Sequence, residues 1–459
     1  MKKINITILL STGLLILAFL SLSLKAEEVK LSDIEKVALN AYTYYSGKSQ
    51  SELRIAQIIP VSEQDTAYFY VFNFDEGFVM VAADDVALPI LGYDLENSID
   101  FNDIPPAVSD LFEEYKEEIK LAKKLKVRPS QDISQQWNFF LDDNFDRGLD
   151  PGSTPHNSTP AIYQPGTYLI STKWDQLGGN ASGSTITYNN DCPKINGTKT
   201  LVGCGGVVVA QILNYWSCHV NPQKDITYSS PAGTITVNFA NQSYNWSNML
   251  PNVATSENAK LLYHSAAASK SQFGVSNTGA VITDLATAFY AYFGFNAPDL
   301  REKKDFPDAN WKNLLKGEID KRRPICYRGE NLGGNPSHIW VVDGYNVDNN
   351  NNVNQFHCNW GWGGTSNGFY TLSNLTNVNG YNFNYKHQVL TLIVPINNPS
   401  TYNNYTFPCG NYNAYSFRLA DCKVEKNVVD AVRLNMKCST EIFGTFEVPL
   451  GSVFEIKPF

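Results

Sequence analysis

The sequence has little that would assign it to several common classes of protein. It contains no CxxC and no paired Cys and His spacing, which argues against a structural zinc site. Its formal net charge of −9 gives no reason to expect nucleic acid or an anionic membrane surface as a partner. The glycine-rich stretch GENLGGNPS lacks the lysine and the following helix of a phosphate-binding loop. We therefore expect neither a metal nor a nucleic acid partner.

Long apolar runs are also absent beyond the N-terminus. Residues 1–26 begin with Lys2 and Lys3, continue through ITILLSTGLLILAFL and end in SLSLKA, which is the pattern of a secretory signal peptide. We place the cleavage after Ala26. The alternative is a membrane anchor, because the apolar run comes near the lower length limit of a span. With the signal removed, the sequence predicts a secreted protein, extracellular or periplasmic, without an integral membrane span.

The eight cysteines are spaced widely and irregularly: Cys192, Cys204, Cys218, Cys326, Cys358, Cys409, Cys422 and Cys438. Exported proteins often carry disulfides, but this spacing leaves the pairing open. If one cysteine must stay free, the other seven cannot all pair with one another.

The 459 residues exceed what one hydrophobic core usually supports, so two or three domains are expected. Residues 27–146 predict a compact α+β domain, in which YFYVFNF and FVMVAA form a hairpin. Residues 147–166 are rich in Pro, Gly, Ser and Thr and predict an exposed linker that is open to proteolysis. Residues 167–396 carry most of the tryptophans, and residues 397–459 predict a small β-rich module.

A helix is predicted after Pro106, because Val108, Leu111, Phe112 and Tyr115 recur at helical spacing. The stretch EEYKEEIKLAKK supplies an opposite, charged side of this helix. We interpret this side as a solvated face rather than a binding surface.

One cysteine has an environment that suits chemistry. In LVGCGGVVVAQILNYW, Cys204 stands between glycines and directly before an apolar stretch that predicts a buried helix. A thiol at a helix N-terminus meets free amide groups and the positive end of the helix dipole, which lowers the pKa of a nucleophile. The alternative is a small buried cysteine at a tight turn.

A thiolate nucleophile needs a base, and two histidines are candidates. His338 follows the glycine-rich stretch and begins the predicted strand HIWVVDGYN. His357 lies in QFHCNWGWGG, where strand alternation places His357 and Asn359 on one face and Cys358 on the other. We favour His338, because functional groups concentrate at junctions of loops and strands.

Other residues could complete such a site. Asn359 could hold an imidazole in the required tautomer, and its alternative role is a turn residue before the glycines. Trp360 and Trp362 could cover the histidine and exclude water, or simply fill the core. Gln176, in TKWDQLGGN, could stabilise an oxyanion together with the backbone N–H of Cys204.

These residues together resemble the streptopain family of papain-like cysteine peptidases. The resemblance rests on the Gly-Cys helix ending in AQILNYW, the histidine before VVDGY, and HCNWGWGGTSNGFYTLSNL, and it covers residues 27 to 396. FNFDEGFVMVAADDVALPILGYD is similar to the inhibitory propeptide of that family. The resemblance implies an α+β fold: a papain-like catalytic domain, preceded by an α+β propeptide domain and followed by the small β-rich module.

The resemblance also implies roles and a mode of action. It makes Cys204 the nucleophile, His338 the base and Gln176 the oxyanion-hole amide. Trp362 matches the tryptophan region beside the histidine, Asn359 is a possible orienter, and Ser337 and Trp360 fall among the substrate-binding residues. We expect an endopeptidase zymogen without a cofactor, inhibited by its own propeptide and acting on protein or peptide substrates.

Two other functions stay open at the level of sequence. One is a catalytically silent relative that binds a peptide or protein through the same cleft. The other is a surface or adhesion protein that acts through residues 397–459. Gly205 and Gly206 depart from the pattern of the family, and we expect them to loosen the start of the helix, because glycine weakens helices.

Overall fold

A computed structural model describes the chain in nine ranges up to residue 396 and in strands beyond it. The described residues are 28–143, 145, 165–179, 185–217, 224–330, 337–348, 352–376, 378 and 386–396, and within the tail 400–403, 406–407, 410–414, 417–424, 431–436, 440–448 and 453–458. The predicted signal peptide, most of the predicted linker and residues 331–336 lie outside these ranges. Within them, no helix combines the length and the apolar character that a membrane crossing needs.

The N-terminal domain, within its described residues 28–143 and 145, includes three α-helices and four antiparallel strands. They are α1 (Leu31–Ser46), β1 (Ile55–Glu63), β2 (Thr66–Phe74), β3 (Phe78–Ala82), β4 (Ile90–Asp94), α2 (Pro106–Leu125) and α3 (Gln131–Leu141). Strands β2 and β3 form the predicted hairpin. Helix α2 begins at a proline, which fits the first turn because that turn needs no N–H donor from it.

In the central domain, residues 165–396, the part of the chain that the structure describes includes four further α-helices: α4 (Cys204–Trp216), α5 (Ser256–Ala268), α6 (Ile282–Tyr292) and α7 (Asp308–Asp320). Its strands are β5 (Lys194–Ile195), β6 (Thr198–Lys199), β7 (Ile226–Ser230), β8 (Gly233–Val237), β9 (Asp299–Glu302), β10 (Ile325–Gly329), β11 (His338–Val347), β12 (Val353–Asn359), β13 (Gly368–Tyr370) and β14 (Gln388–Thr391). The helix predicted to start at Cys204 and the strand predicted to start at His338 are both present.

The two domains share one sheet of ten strands. Its order is β1-β2-β3-β4-β13-β12-β11-β10-β14-β9, so that β4 of the N-terminal domain pairs with β13 of the central domain. The register of this pair is Phe369 with Tyr93 and Tyr370 with Gly92. The sheet therefore joins the domains through backbone hydrogen bonds as well as side chains.

In the central domain, strands β10, β11 and β14 bury different residues on their two faces. One face carries Ile339 and Val341 and packs against α4, α5 and α6; we call it the α4 face. The other face carries Tyr327 and Trp340 and packs in one core with α7 and the helices of the N-terminal domain; we call it the α2 face. The alternation follows from the two-residue period of a strand.

Helix α2 lies on this second face, and it corrects the interpretation of its charged residues. Glu113 and Glu117 are exposed, but Glu114 and Glu118 are only 7% and 3% exposed. The expectation of a fully solvated charged face is wrong for these two glutamates. The central domain covers a side of α2 that the N-terminal domain alone would leave open.

Seven short strands lie among the described C-terminal residues, where the sequence predicts a β-rich module. They are β15 (Ser400–Asn403), β16 (Thr406–Phe407), β17 (Gly410–Ala414), β18 (Phe417–Val424), β19 (Ala431–Met436), β20 (Thr440–Glu447) and β21 (Val453–Pro458). Strands β15, β16 and β20 pair with β18, and β17 and β21 pair with β19, in every case in parallel. Alternation of apolar and polar residues indicates strands, but it does not predict that these strands pair in parallel.

Candidate active site

Cys204 lies at the first position of α4, as predicted. The preceding Gly203 has φ +80°, and a Cβ atom there would lie 2.4 Å from the carbonyl oxygen of Thr278. Only glycine fits that backbone conformation and that space. The tight turn therefore fixes the thiol at the helix N-terminus.

The two glycines after the thiol have a packing role. A Cβ atom on Gly206 would lie 2.8 Å from Cβ of Ala266 in α5, and one on Gly205 would lie 3.1 Å from Cδ1 of Leu285 in α6. Both glycines are buried, and α4 starts at Cys204 itself. The helix begins at Cys204 because close contact with α5 and α6 occupies the space that side chains would take, and the expected loosening stays a prediction.

Burial raises the pKa of the Cys204 thiol in this structure, so the lowered pKa expected from the helix N-terminus is wrong for this state. The backbone N–H groups of Ile339, Gly205 and Cys204 act in the opposite direction but do not offset the burial. The hydrogen bond from Ile339 places the sulfur beside the start of β11. The thiol form is thus favoured in this structure.

Gln176 is joined by hydrogen bonds to the turn before the thiol and to the segment of Trp360 and Gly361. Its carbonyl accepts the N–H groups of Val202 and Gly203, each at 3.1 Å. Its own N–H donates to the Gly361 carbonyl at 2.9 Å, and its side-chain Nε2 lies 3.4 Å from the Trp360 carbonyl. The structure therefore brings Gln176 next to the turn that carries Cys204.

His338 is the first residue of β11, but its imidazole belongs to the α2 face. It lines one small cavity with Asp110, Glu114, Trp340 and His387. Its Nε2 lies 3.8 Å from Oδ2 of Asp110 in helix α2. Cys204, in contrast, contacts the core of the α4 face. Thiol and imidazole thus meet at one strand end but face opposite sides of the sheet.

Burial lowers the pKa of His338, and the Asp110 carboxylate acts in the opposite direction without offsetting it. The neutral imidazole is therefore favoured. Together with the raised pKa of the Cys204 thiol, this arrangement disfavours a thiolate–imidazolium pair. In this conformation the neutral forms of both groups are favoured, so the site is inactive.

Asn359 ends β12 with its side chain on the α4 side. Its Nδ2 donates to the Thr172 carbonyl at 2.7 Å, and its Oδ1 accepts the Gly361 N–H at 3.2 Å. Gln211 also lies within 3.3 Å of both groups. The amide is engaged by these neighbours while His338 faces the other way, so the orienting role stays a prediction.

The two tryptophans have different places. Trp360 is 1% exposed, donates from Nε1 to the Ser366 carbonyl at 2.8 Å, and has its ring centroid 4.9 Å from that of Trp340. Trp362 is half-buried and forms an isolated bridge with Asp175, next to Gln176. Ser337 is half-buried directly before β11. Trp360 is thus a core residue of the α2 face here, whereas Trp362 adjoins the Gln176 segment.

The competing histidine, His357, is fixed by a buried carboxylate. Its Nδ1 lies 2.6 Å from Oδ1 of Asp343, and its ring stacks on Tyr168 with centroids 4.1 Å apart. Asp343 also accepts the N–H of Ile170 at 2.6 Å. His357 and Asn359 share a polar pocket, as strand alternation predicts. Asp343 and His357 thus hold in place the segment of Tyr168 and Ile170, at the start of the central domain.

A further histidine, His387, was not singled out from the sequence. Its Nδ1 lies 2.9 Å from the Tyr327 hydroxyl, and its Nε2 lies 3.4 Å from Oε1 of Glu114. A histidine within an Asn- and Tyr-rich stretch carries no spacing signal, so only the fold reveals it. No cluster of three or more His, Cys, Asp or Glu suited to a metal occurs among the residues that the structure describes.

Comparisons with known proteins agree with this architecture. The sequence model of the Peptidase C10 family matches residues 183–370, and that of the Spi protease inhibitor matches residues 28–119. Streptopain of Streptococcus pyogenes serotype M28 is 25% identical over 376 residues, which are 76% of this chain and 85% of that protein. The thiol protease/hemagglutinin PrtT of Porphyromonas gingivalis is 27% identical over 393 residues, 81% of this chain and 41% of that protein.

Among solved structures, a fragment of Prevotella intermedia prointerpain A is similar with a TM-score of 0.55 and 25% sequence identity. The match covers 74% of this chain and 99% of that fragment, so it extends over both domains. The α+β, papain-like fold class predicted from the sequence is confirmed. The chain is a streptopain-like, papain-like cysteine peptidase that carries its propeptide-type inhibitor domain at the N-terminal side.

Proposed function

We propose that this cysteine peptidase is a secreted endopeptidase made as a zymogen, with Cys204 as nucleophile and His338 as general base and acid. The observation that carries the proposal is the meeting of both residues at one end of β11, with the imidazole turned toward Asp110 of the inhibitor domain. The N-terminal pattern of residues 1–26 supports secretion.

Latency follows from this geometry. The inhibitor domain packs against the imidazole of His338, and burial favours the neutral forms of both this imidazole and the Cys204 thiol. Cleavage between residues 147 and 164, followed by departure of α2, removes Asp110 from the cavity of His338. The imidazole at the start of the strand is then free to turn to the α4 face and pair with the thiol.

In the active form, the Cys204 thiolate attacks the carbonyl carbon of a substrate peptide bond, and the carbonyl oxygen becomes an oxyanion. The backbone N–H of Cys204, at the free N-terminus of α4, and the Gln176 amide stabilise this oxyanion. Imidazolium His338 gives its proton to the leaving amine, and an acyl-thioester remains. Water, deprotonated by His338, then hydrolyses the thioester and regenerates the thiol.

The test uses the full chain with a site for an external protease inserted between residues 147 and 164. After cutting, a thiol-reactive peptide electrophile should label Cys204 under reducing conditions, and casein should be cleaved. Cys204→Ala and His338→Ala should lose activity by about a thousandfold or more, as loss of a nucleophile or base does elsewhere.

The matched control is Cys326→Ala, because Cys326 is a fully buried thiol on the neighbouring strand β10. This variant should keep labelling and activity. Labelling that survives Cys204→Ala, or casein cleavage equal to that of the parent, would refute the assigned nucleophile. Cleavage of internal peptide bonds, rather than terminal ones, distinguishes an endopeptidase.

A further inference from the structure

Helix α4 carries a buried amide in addition to the proposed nucleophile. Gln211 is 0% exposed and follows Cys204 by seven residues, which is about two helical turns, so both side chains lie on the same side of α4. It stands within the mostly apolar stretch VVVAQILNYW. A buried amide without hydrogen-bond partners costs stability, so the partners of Gln211 show what it can hold in place.

Gln211 binds the segment that leads to Gln176. The Thr172 hydroxyl donates to Oε1 of Gln211 at 2.9 Å, and the backbone N–H of Trp174 donates to the same oxygen at 3.4 Å. Thr172 and Trp174 precede Gln176 closely in the sequence, and both are buried. The helix that carries the thiol therefore also holds the segment that carries the proposed oxyanion-hole amide.

Asn359 joins Gln211 to the other side of this segment. The two side-chain amides face each other, with 3.3 Å between each nitrogen and the opposite oxygen. Nδ2 of Asn359 also donates to the Thr172 carbonyl at 2.7 Å, and Oδ1 accepts the N–H of Gly361 at 3.2 Å. The Gly361 carbonyl in turn accepts the N–H of Gln176 at 2.9 Å.

These hydrogen bonds form a closed path that starts and ends on α4. The path leaves the helix at Gln211 and reaches Gln176 by way of Gly361. The Gln176 carbonyl then accepts the N–H of Gly203, directly before the thiol, at 3.1 Å. All of these bonds join residues of the peptidase domain, so the path does not require the inhibitor domain. We define the Gln211 network by five residues: Thr172, Gln176, Gln211, Asn359 and Gly361.

The position of an oxyanion-hole donor decides how much it contributes to the rate. Such a donor stabilises the oxyanion when it already lies where the charge develops. A displacement of about 1 Å, even one caused far from the reacting atoms, can cost about a hundredfold in rate. The Gln176 side chain makes a long contact, 3.4 Å from its Nε2 to the Trp360 carbonyl, so its place depends mainly on its backbone, which the Gln211 network holds.

We propose that Gln211 and Thr172 are positioning residues, which fix the amide of Gln176 at its distance from the nucleophile. They act through Asn359, whose side chain then serves the oxyanion side of the site rather than the imidazole of His338. This inference rests on the proposed function and adds two residues that act through others on the reacting atoms.

The first experiment compares two reactions of Cys204 in the chain cut between residues 147 and 164. Hydrolysis of a peptide bond passes through an oxyanion. Alkylation by iodoacetamide does not, because the thiolate displaces iodide from a saturated carbon, so that a C–S bond forms as the C–I bond breaks. A residue that positions the oxyanion hole should therefore affect hydrolysis alone, whereas a residue that matters for the thiol, the imidazole or the fold should affect both reactions.

Gln211→Met nearly keeps the length of the side chain but removes its hydrogen bonds. For a fluorogenic peptide that the cut parent cleaves, kcat should fall about tenfold and KM should stay within about twofold, because the lost interaction acts in the transition state. Alkylation by iodoacetamide should stay within about twofold of the parental rate, with the same pH dependence. Thr172→Val, which removes one hydroxyl, should lower kcat about threefold in the same selective way.

The matched control is Asn214→Leu, about one turn further along α4. Asn214 also carries a side-chain amide, but its Nδ2 lies 3.5 Å from the sulfur of Met249, outside the Gln211 network. This variant should leave both kcat and the rate of alkylation within about twofold of the parent. It shows whether loss of any amide from this helix is enough to slow hydrolysis.

The second experiment tests whether Gln211 acts through Asn359. Asn359→Leu should also lower kcat by about tenfold without changing the rate or the pH dependence of alkylation. In Q211M/N359L the fall should stay near that of the larger single change instead of reaching the product of about a hundredfold, because residues of one network are not additive. Additive losses, or a shifted pH dependence in Asn359→Leu, would refute the action through Asn359.

The outcomes separate this inference from the proposed function. Gln176→Ala should lower kcat by about a hundredfold and leave alkylation unchanged, and without this loss the proposed oxyanion role fails. If Gln176→Ala shows the loss but Gln211→Met and Thr172→Val hydrolyse the peptide at the parental rate, the positioning role is refuted. Equal losses of hydrolysis and alkylation in these two variants would show a purely structural role and refute it as well.

Discussion

The two faces of strands β10, β11 and β14 are completed in different ways. On the α4 face, Ile339 and Val341 pack against helices of the peptidase domain alone. On the α2 face, Tyr327 and Trp340 share one core with the inhibitor domain. The surroundings of the thiol therefore belong to the peptidase, whereas the imidazole lies among residues that the inhibitor domain completes. Removal of the inhibitor should change one face and leave the other intact.

The largest effect is expected on the α4 face, from Gly203→Ala. The substitution forces φ +80° on a residue with Cβ and brings that atom within 2.4 Å of a backbone oxygen. Strain and clash together should lower the free energy of unfolding by roughly 3 kcal/mol or more. Urea unfolding of the uncut chain measures this, and casein cleavage after cutting should fall as the thiol shifts. An unchanged midpoint with full activity would contradict the fixed turn.

A smaller effect on the same face is expected from Gly206→Ala, whose new methyl group would lie 2.8 Å from Cβ of Ala266. Overpacking of this kind costs about 1–3 kcal/mol. The matched control is Gly317→Ala in α7, where a Cβ atom meets nothing within 4 Å. There, better helix propensity should stabilise by up to about 1 kcal/mol. Urea midpoints that move in the same direction for both variants would argue against close packing of α4 on α5.

The smallest effect is expected on the α2 face, from Tyr115→Phe. The hydroxyl of Tyr115 donates to the Thr371 carbonyl at 2.8 Å and lies 3.2 Å from the Leu91 carbonyl. Loss of this bridge between the domains should cost the uncut chain about 1 kcal/mol. After cutting and separation of the inhibitor domain, the peptidase domain should melt like that of the parent. A difference that persists after separation would mean that the effect of Tyr115 does not depend on the shared face.

Local features of the sequence predicted local structure well. The Gly-Cys turn and the apolar run after it placed the start of α4 at Cys204, and alternation placed His357 and Asn359 on one face of β12. The family resemblance added the papain-like fold and the inhibitor domain, which the comparisons support. These inferences depend on residues that are close together in the sequence or on a motif that is recognised as a whole.

Contacts between distant parts of the chain could not be predicted in the same way. Helical periodicity separates two sides of α2, but it does not distinguish buried Glu114 and Glu118 from exposed Glu113 and Glu117. That distinction depends on a second domain packing there. The direction of His338 also depends on the inhibitor domain, which lies far away in sequence, whereas the raised pKa of Cys204 follows from burial against the core of the α4 face.

The shared sheet has a consequence for how the chain folds. The hydrogen bond between Tyr115 and Thr371 joins residues 256 positions apart, and the pairing of β4 with β13 is of similar range. Contacts between residues so far apart in the sequence form slowly, because a long loop must close first. During synthesis the inhibitor domain emerges before β13, the partner of its strand β4. In each new chain, β13 would thus pair with a strand of the inhibitor domain that has already been synthesised. The peptidase domain would therefore complete its fold in contact with its own inhibitor.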